Sequence, residues 1–199
     1  MNALLKSHAR PARAISWRSA LCGSIAIAAA GLAQAQAADN PHAHVHGLAQ
    51  MDVAVSGPTL SLHLEIPLDS LIGFERRPKN AAERKAADAL LARMKDGGKL
   101  FVPDAAAQCS LTEALIESEA LQSPAPAANA PAAEEAHADL DASYTFTCRA
   151  PQRLTTLRVG LFDAFKRLDQ IETQLATDAG QAKRTLKRAN PQLSLNPKL

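Results

Sequence analysis

The chain has 199 residues, a formal net charge of +2 and an aromatic content of only 4%. Residues 1–37 hold four of the 22 Lys and Arg residues and none of the 20 Asp and Glu residues, so the remainder has 18 basic and 20 acidic residues, a net charge of −2. Because these basic residues are dispersed, the composition excludes the concentrated basic surface of a nucleic-acid-binding protein. The length predicts one domain, here over residues 38–199.

The N-terminus has the three parts of a secretory signal peptide. Its basic residues are Lys6, Arg10, Arg13 and Arg18. An apolar run follows at about residues 20–32, and then small residues at alternate positions, which predicts cleavage after Ala37, or after Ala35 as the alternative. A retained membrane anchor is the other interpretation, but the apolar run is shorter than the roughly 20 residues of a spanning helix. We therefore expect residues 38–199 to be periplasmic, with no membrane-spanning segment after cleavage.

The first two predicted elements are strands. Apolar and polar residues alternate over residues 47–56 and 60–66, on either side of a turn at residues 56–58. Alternation with period two around a Gly-Pro turn predicts a β-hairpin with one solvent-exposed face. His63 lies on that exposed face beside Glu65, where a histidine is more often a surface residue than a metal ligand.

A helix is predicted at about residues 80–95. Asn80 can cap its N-terminus, and Glu83 stands three residues later, as in a capping box. Apolar residues follow at helical spacing, namely Ala87, Leu90, Leu91 and Met94. Gly97 and Gly98 are expected to end the helix.

The second half of the chain predicts further strands around a loop. Residues 109–121 favour a strand, with a helix as the alternative, and residues 122–136 are rich in Ala and Pro, which predicts a mobile loop. The later predicted elements are strands at 143–148 and 157–161, helical turns at 162–168, and a final hairpin of 171–177 and 182–195. The predicted fold class is α+β, a mainly antiparallel β-sheet with one main helix and a mobile central loop.

Two cysteines, Cys109 and Cys148, remain after cleavage of the signal peptide. An even number of cysteines in an oxidising compartment predicts a disulfide between them.

Three histidines alternate just after the predicted cleavage site, at His42, His44 and His46. Alternate side chains of an extended segment project to the same side, so neighbouring imidazoles in this series can converge on one metal ion. His42 and His46 are roughly 13 Å apart in an extended chain, so all three reach one ion only if the segment bends. The other interpretation is a solvated polar tail, but the strict alternation favours metal binding, with zinc as the expected ion.

A second group of donors follows the central loop, at His137 and Asp139. Each donor group leads into a predicted strand. If the two strands begin on the same side of the sheet, the groups meet, and His137 or Asp139 completes a site for about one zinc ion. No pattern in the sequence assigns His63 or Glu75 to this site.

The sequence lacks the common catalytic motifs. It has no Gly-rich phosphate-binding loop and no Gly-x-Ser-x-Gly motif, and neither Cys109 nor Cys148 has a base beside it in the sequence. A binding protein is therefore predicted rather than an enzyme.

Three segments together resemble the ZrgA-like periplasmic zinc-uptake proteins, namely His42–Ala49, Leu71–Glu75 and His137–Cys148. The resemblance implies zinc binding and an accessory role beside an ABC-type zinc importer or its solute-binding protein. By motif match, it implies ligands at His42, His44, His46 and the segment that starts at His137.

Two departures from that family pattern predict a lower zinc capacity. Residues 122–136 contain no histidine where family members often carry a His-rich tract, and Arg76 and Arg77 stand where a histidine is common. The alternative function is a structural or assembly partner of an envelope transporter, without an essential metal site.

Overall fold

The computed structural model describes residues 45–122 and 138–198. The strands are β1 (Leu48–Ser56), β2 (Thr59–Pro67), β3 (Phe101–Pro103), β4 (Cys109–Glu117), β5 (Asp139–Cys148), β6 (Thr156–Val159), β7 (Gln170–Thr177), β8 (Gly180–Lys187) and β9 (Gln192–Ser194). The α-helices are α1 (Leu68–Ile72), α2 (Ala81–Lys95), α3 (Gly97–Leu100), α4 (Glu119–Gln122) and α5 (Leu161–Ala164). The predicted signal peptide and residues 123–136 of the predicted loop lie outside the described residues.

Six strands form the main sheet in the order β4-β5-β2-β1-β7-β8, and β3, β6 and β9 form a smaller sheet. All pairings are antiparallel except that of β1 with β7, which is parallel from Leu48 opposite Gln170 to Val55 opposite Thr177. The α+β class with a mainly antiparallel sheet and one main helix is thus confirmed. The smaller sheet was not predicted.

The hydrophobic core lies against one face of the main sheet. Alternate residues of β1, β2 and β5 point into it, among them Met51, Leu62 and Tyr144, each no more than 2% exposed. The residues between them, such as His63, lie on the opposite face. This alternation is what the sequence predicted for the first hairpin, and it gives the sheet one buried and one open face.

The predicted helix is confirmed as α2. The side chain of Asn80 accepts a hydrogen bond of 2.9 Å from the backbone N–H of Glu83, as an N-cap does. The Glu83 carboxylate accepts from Arg76 at 2.7 and 3.1 Å and from the backbone N–H of Lys79 at 2.7 Å. The bond from Arg76 is the main reason that the pKa of Glu83 is lowered to about 2.

Gly97 does not end α2 in the predicted way. The helix ends at Lys95, and Gly97 begins the short helix α3. A Cβ on Gly97 would lie 2.4 Å from a ring carbon of Tyr144. Glycine is therefore required here by packing against an aromatic ring rather than by a helix cap.

Three other predicted boundaries were wrong. The strand predicted at 109–121 ends at Glu117, where the chain turns into α4, and Leu161 belongs to α5 rather than to the preceding strand. The last predicted strand, 182–195, is divided between β8 and β9, which lie in different sheets.

Arg188 explains why the last predicted strand is divided. Its guanidinium donates hydrogen bonds to the backbone carbonyls of Phe162, Phe165, Lys166 and Leu168, which fixes the chain where β8 ends. Pro191 follows, and it has no N–H with which to continue a ladder.

The predicted disulfide is present. Cys109 and Cys148 face each other across the β4–β5 pairing and are joined covalently. They lie at the end of β5 opposite to its start at Asp139.

Asp104 joins the segment after β3 to β6. Its carboxylate accepts hydrogen bonds of 2.7–2.8 Å from the backbone N–H and hydroxyl groups of both Thr155 and Thr156. Burial alone would raise the pKa of Asp104, but the hydrogen bonds from Thr156 and Thr155 outweigh it and lower the pKa to about 2.

Replacing Asp104 by Ala should lower the free energy of unfolding at pH 7 by about 1.5–3 kcal/mol, the usual range for hydrogen bonds to a charged group. The folded-state pKa lies below the unfolded value of about 3.9, so this stabilisation is present above about pH 4 and is lost as the pH falls towards 2. Urea unfolding from pH 7 to pH 2 tests this prediction. A difference between the wild type and D104A that does not shrink below pH 4 would contradict it.

Candidate metal centre

The two segments that carry the predicted zinc ligands lead into strands that begin at the same edge of the main sheet. Both β1 and β5 pair antiparallel with β2, which lies between them. Both therefore begin where β2 ends, at Pro67, and their starts are two strand spacings apart, or roughly 10 Å. The condition on which the predicted convergence depends is thus met.

Two of the five predicted ligands, His46 and Asp139, lie in the part of the chain that the structure describes. His42, His44 and His137 lie outside it. Asp139 is the first residue of β5 and stands opposite Pro67. His46 lies in the turn just before β1 and is 67% exposed at its side chain.

The turn at Gly47 fixes the position of His46. The backbone N–H of Gly47 donates 2.9 Å to the hydroxyl of Ser70 in α1, and the Gly47 carbonyl accepts from the N–H groups of Asp169 and Gln170 at 2.8 and 3.0 Å. Gly47 has a φ of +82°, a conformation that glycine adopts without strain. These bonds hold His46 between the start of α1 and the turn before β7.

The imidazole of His46 lies between two carboxylates. Its Nδ1 is 3.6 Å from Oδ2 of Asp69, and its Nε2 is 3.6 Å from Oε1 of Glu75. A carboxylate on one ring nitrogen and a metal on the other is a common arrangement at metal-binding histidines, because the carboxylate fixes the tautomer and orients the ring. Asp69 lies on the Nδ1 side of the ring and Glu75 on the Nε2 side, each at an ion-pair distance longer than a hydrogen bond.

Glu75 has a feature that fits a cation. Its Oε1 atom is buried and has no hydrogen-bond partner among residues 45–122 and 138–198. A buried carboxylate oxygen without a donor is costly in a folded protein, and an ion is one of the groups that satisfy it. Imidazole nitrogen and carboxylate oxygen are both zinc ligands, so the pair of His46 and Glu75 matches half of a tetrahedral zinc shell.

This pair is not a complete site. Within residues 45–122 and 138–198, no group of three or more His, Cys, Asp or Glu side chains is arranged to hold a metal ion. Asp69 and Glu75 face opposite ring nitrogens, so an ion on Nε2 of His46 is out of reach of the Asp69 oxygen that faces Nδ1. Zinc held by His46 and Glu75 needs further donors.

The sequence analysis missed Asp69 and left Glu75 unassigned. The signal that points to both is the hairpin itself. In an antiparallel pair, residues just after the second strand lie beside residues just before the first. The stretch that follows β2, from Leu68 to Glu75, is therefore brought next to His46.

His63 lies elsewhere, on the open face of the sheet. Its Nδ1 is 3.1 Å from the hydroxyl of Ser143. A groove of about 720 Å³ crosses this face and includes both residues. The contacts that the structure gives for His63 do not connect it to the edge where His46 lies.

Asp141 and two glutamates form an acidic row on the open face. Glu117, Asp141 and Glu65 stand opposite one another across β4, β5 and β2. Burial first, and then the charge of Glu65, raise the pKa of Asp141. Asp141 is two residues from the start of β5 at Asp139, so this row lies close to the edge at which β5 begins.

None of the helices in the described ranges has the length and apolar character needed to cross a membrane. No curated protein matches the chain. Residues 43–195, more than three quarters of the sequence, match the family described as ZrgA family zinc uptake protein. The matched range includes the turn at His46, Asp69, Glu75 and every strand of both sheets. The chain therefore belongs to the ZrgA family of zinc uptake proteins.

Proposed function

We propose that the protein is an exported zinc-binding accessory protein that buffers zinc or passes it to an ABC-type zinc importer, directly or through the importer's solute-binding protein. The observation that carries this proposal is the contact of His46 with Glu75, whose buried oxygen has no hydrogen-bond partner in the described part of the chain. Membership of a zinc uptake family supports zinc as the cargo.

In the proposed site, His46 and Glu75 each supply one donor. His42 and His44 precede His46 by four and two residues, so they are tethered close to it. His137 or Asp139 completes the shell, because β5 begins one strand away from the end of β2. These are five candidate donors, and any four of them are enough to satisfy one zinc ion.

The exposure of the site suits a protein that gives its metal away. His46 is 67% exposed, and Asp69 and Glu75 are 19% and 32% exposed. A partner can therefore approach a metal from the side of His46, whereas the Oε1 atom of Glu75 is buried. No catalytic role is proposed for these residues.

Zinc titration by calorimetry of residues 38–199 tests the proposal. We expect about one zinc ion per chain for the wild type. The variant H42A/H44A/H46A should bind at least about a hundredfold more weakly, since even residues that only support ligands change affinity 10–100-fold. His63→Ala, on the open face, is the matched control and should bind like the wild type.

The affinity should also fall as the pH drops below about 6.5, because protonated imidazole cannot bind a metal. Equal affinity of the triple variant and the wild type would remove the histidines before β1 from the site. Absence of binding by the wild type at micromolar zinc would favour the alternative, a structural or assembly partner of an envelope transporter.

A further inference from the structure

Arg167 lies over a position that only glycine leaves open. Gly73 ends α1 with a φ of +87°, and a Cβ at this residue would lie 3.0 Å from Nε and 3.1 Å from Nη2 of Arg167. Any other residue at position 73 would require the guanidinium to shift. The glycine at the end of α1 therefore leaves room for the planar guanidinium of Arg167, which lies in the turn before β7.

In this position Arg167 places a permanent positive charge beside the candidate metal centre. Nη1 of Arg167 is 4.0 Å from Oδ2 of Asp69. The same Asp69 oxygen is 3.6 Å from Nδ1 of His46. Arg167 and His46 thus face the same carboxylate oxygen, so the charge of Arg167 offsets part of the negative charge beside the imidazole.

We infer that Arg167 sets the zinc affinity of the site by opposing the entry of a divalent cation. The inference rests on the proposed function. A guanidinium remains charged at all physiological pH values, so it repels zinc whatever the state of His46. The side chain is 61% exposed, so solvent and salt weaken the repulsion without removing it.

A charge of this kind keeps an accessory protein from holding its cargo too tightly. Without Arg167, the charge of Asp69 is no longer partly neutralised from that side and the potential at Nε2 is more negative. An ion on Nε2 lies on the order of 10 Å from the guanidinium, since the Asp69 oxygen and the imidazole stand between them. Repulsion between a monovalent and a divalent cation at this distance corresponds to an affinity change of about threefold to tenfold at low salt.

The test compares Arg167→Met with Arg153→Met by zinc titration at pH 7.5. Arg153 follows β5 at the end of the sheet opposite to the candidate metal centre, so R153M removes the same charge far from it. We expect R167M to bind zinc about threefold to tenfold more tightly than the wild type, and R153M to bind like the wild type. Arg167→Lys, which keeps the charge, should lie closer to the wild type than R167M does.

The salt dependence distinguishes an effect of the Arg167 charge on zinc affinity from an effect of its packing. The gap between R167M and the wild type should narrow between 20 mM and 500 mM NaCl, where the screening length falls severalfold. An R167M affinity equal to that of R153M, or weaker than that of the wild type, would overturn the inference and leave the proposed function standing. Absence of zinc binding in all these proteins would overturn both.

Discussion

Replacement of Tyr144 by Ala should lower the free energy of unfolding by about 3–5 kcal/mol, the usual loss for a large aromatic residue in a core. Tyr144 is only 1% exposed and its ring centre lies 4.9 Å from that of Phe101. Its hydroxyl donates a 2.7 Å hydrogen bond to the Met94 carbonyl, which joins β5 to α2. Burial raises the pKa of Tyr144, so it stays a donor throughout the physiological range.

A double-mutant cycle tests whether packing against the Tyr144 ring is the reason that glycine is required at position 97. Gly97→Ala should cost about 1–3 kcal/mol, as overpacking does, because its Cβ would lie 2.4 and 2.5 Å from two ring carbons of Tyr144. In the Y144A background most of this cost should disappear, so the two losses should not add. Gly98→Ala is the control, since its Cβ would meet nothing within 4 Å.

Urea unfolding of the four proteins of the cycle and of G98A measures these energies. The account requires G97A to be clearly less stable than G98A in the presence of Tyr144. Equal stability of the two alanine variants would show that the ring moves aside freely, and the packing argument for Gly97 would be wrong.

Removal of the disulfide is the second change with a large expected effect. The bond joins residues 39 positions apart, and the chain-entropy relation gives a stabilisation of about 4 kcal/mol, an upper figure. The variant C109A/C148A should therefore unfold with a free energy about 3–4 kcal/mol lower. S110A/T147A changes the neighbouring cross-strand pair and should cost far less.

Denaturant unfolding without reductant provides the comparison, together with a thiol titration of the unfolded wild type. No free thiol should be found in residues 38–199 produced in an oxidising compartment. Two reactive thiols per chain, or equal stability of C109A/C148A and the wild type, would contradict a role for this bond in the native protein.

Local patterns in the sequence predicted the local elements of the fold. Alternation marked β1 and β2, and Asn80 with Glu83 marked the start of α2. The parallel pairing of β1 with β7 could not be predicted in this way, because it joins segments more than 100 residues apart and no turn between them fixes the register. The smaller sheet depends on pairings of very short strands, in which Phe101 meets Val159 and Thr156 meets Ser194, 58 and 38 residues apart in the sequence.

The candidate metal centre, too, was predictable only where a local pattern in the sequence indicated it. Alternating histidines indicated His46 as a candidate donor, because the spacing itself suggests metal binding. Asp69 and Arg167 have no such spacing, since the roles proposed for them depend on the turn at Gly47 and on the contact of Arg167 with Gly73. The reason for Gly97 likewise lies in a ring 47 residues away.

The central claim is that zinc binds through imidazole and carboxylate donors at the edge of the main sheet where β1 and β5 begin. X-ray absorption spectroscopy at the zinc edge, on residues 38–199 loaded with one zinc ion, tests it most directly. We predict two or more imidazole ligands at about 2.0–2.1 Å with at least one oxygen, and a loss of imidazole signal in H42A/H44A/H46A but not in H63A. A first shell of oxygen alone, or the same imidazole signal in the triple variant, would contradict the account.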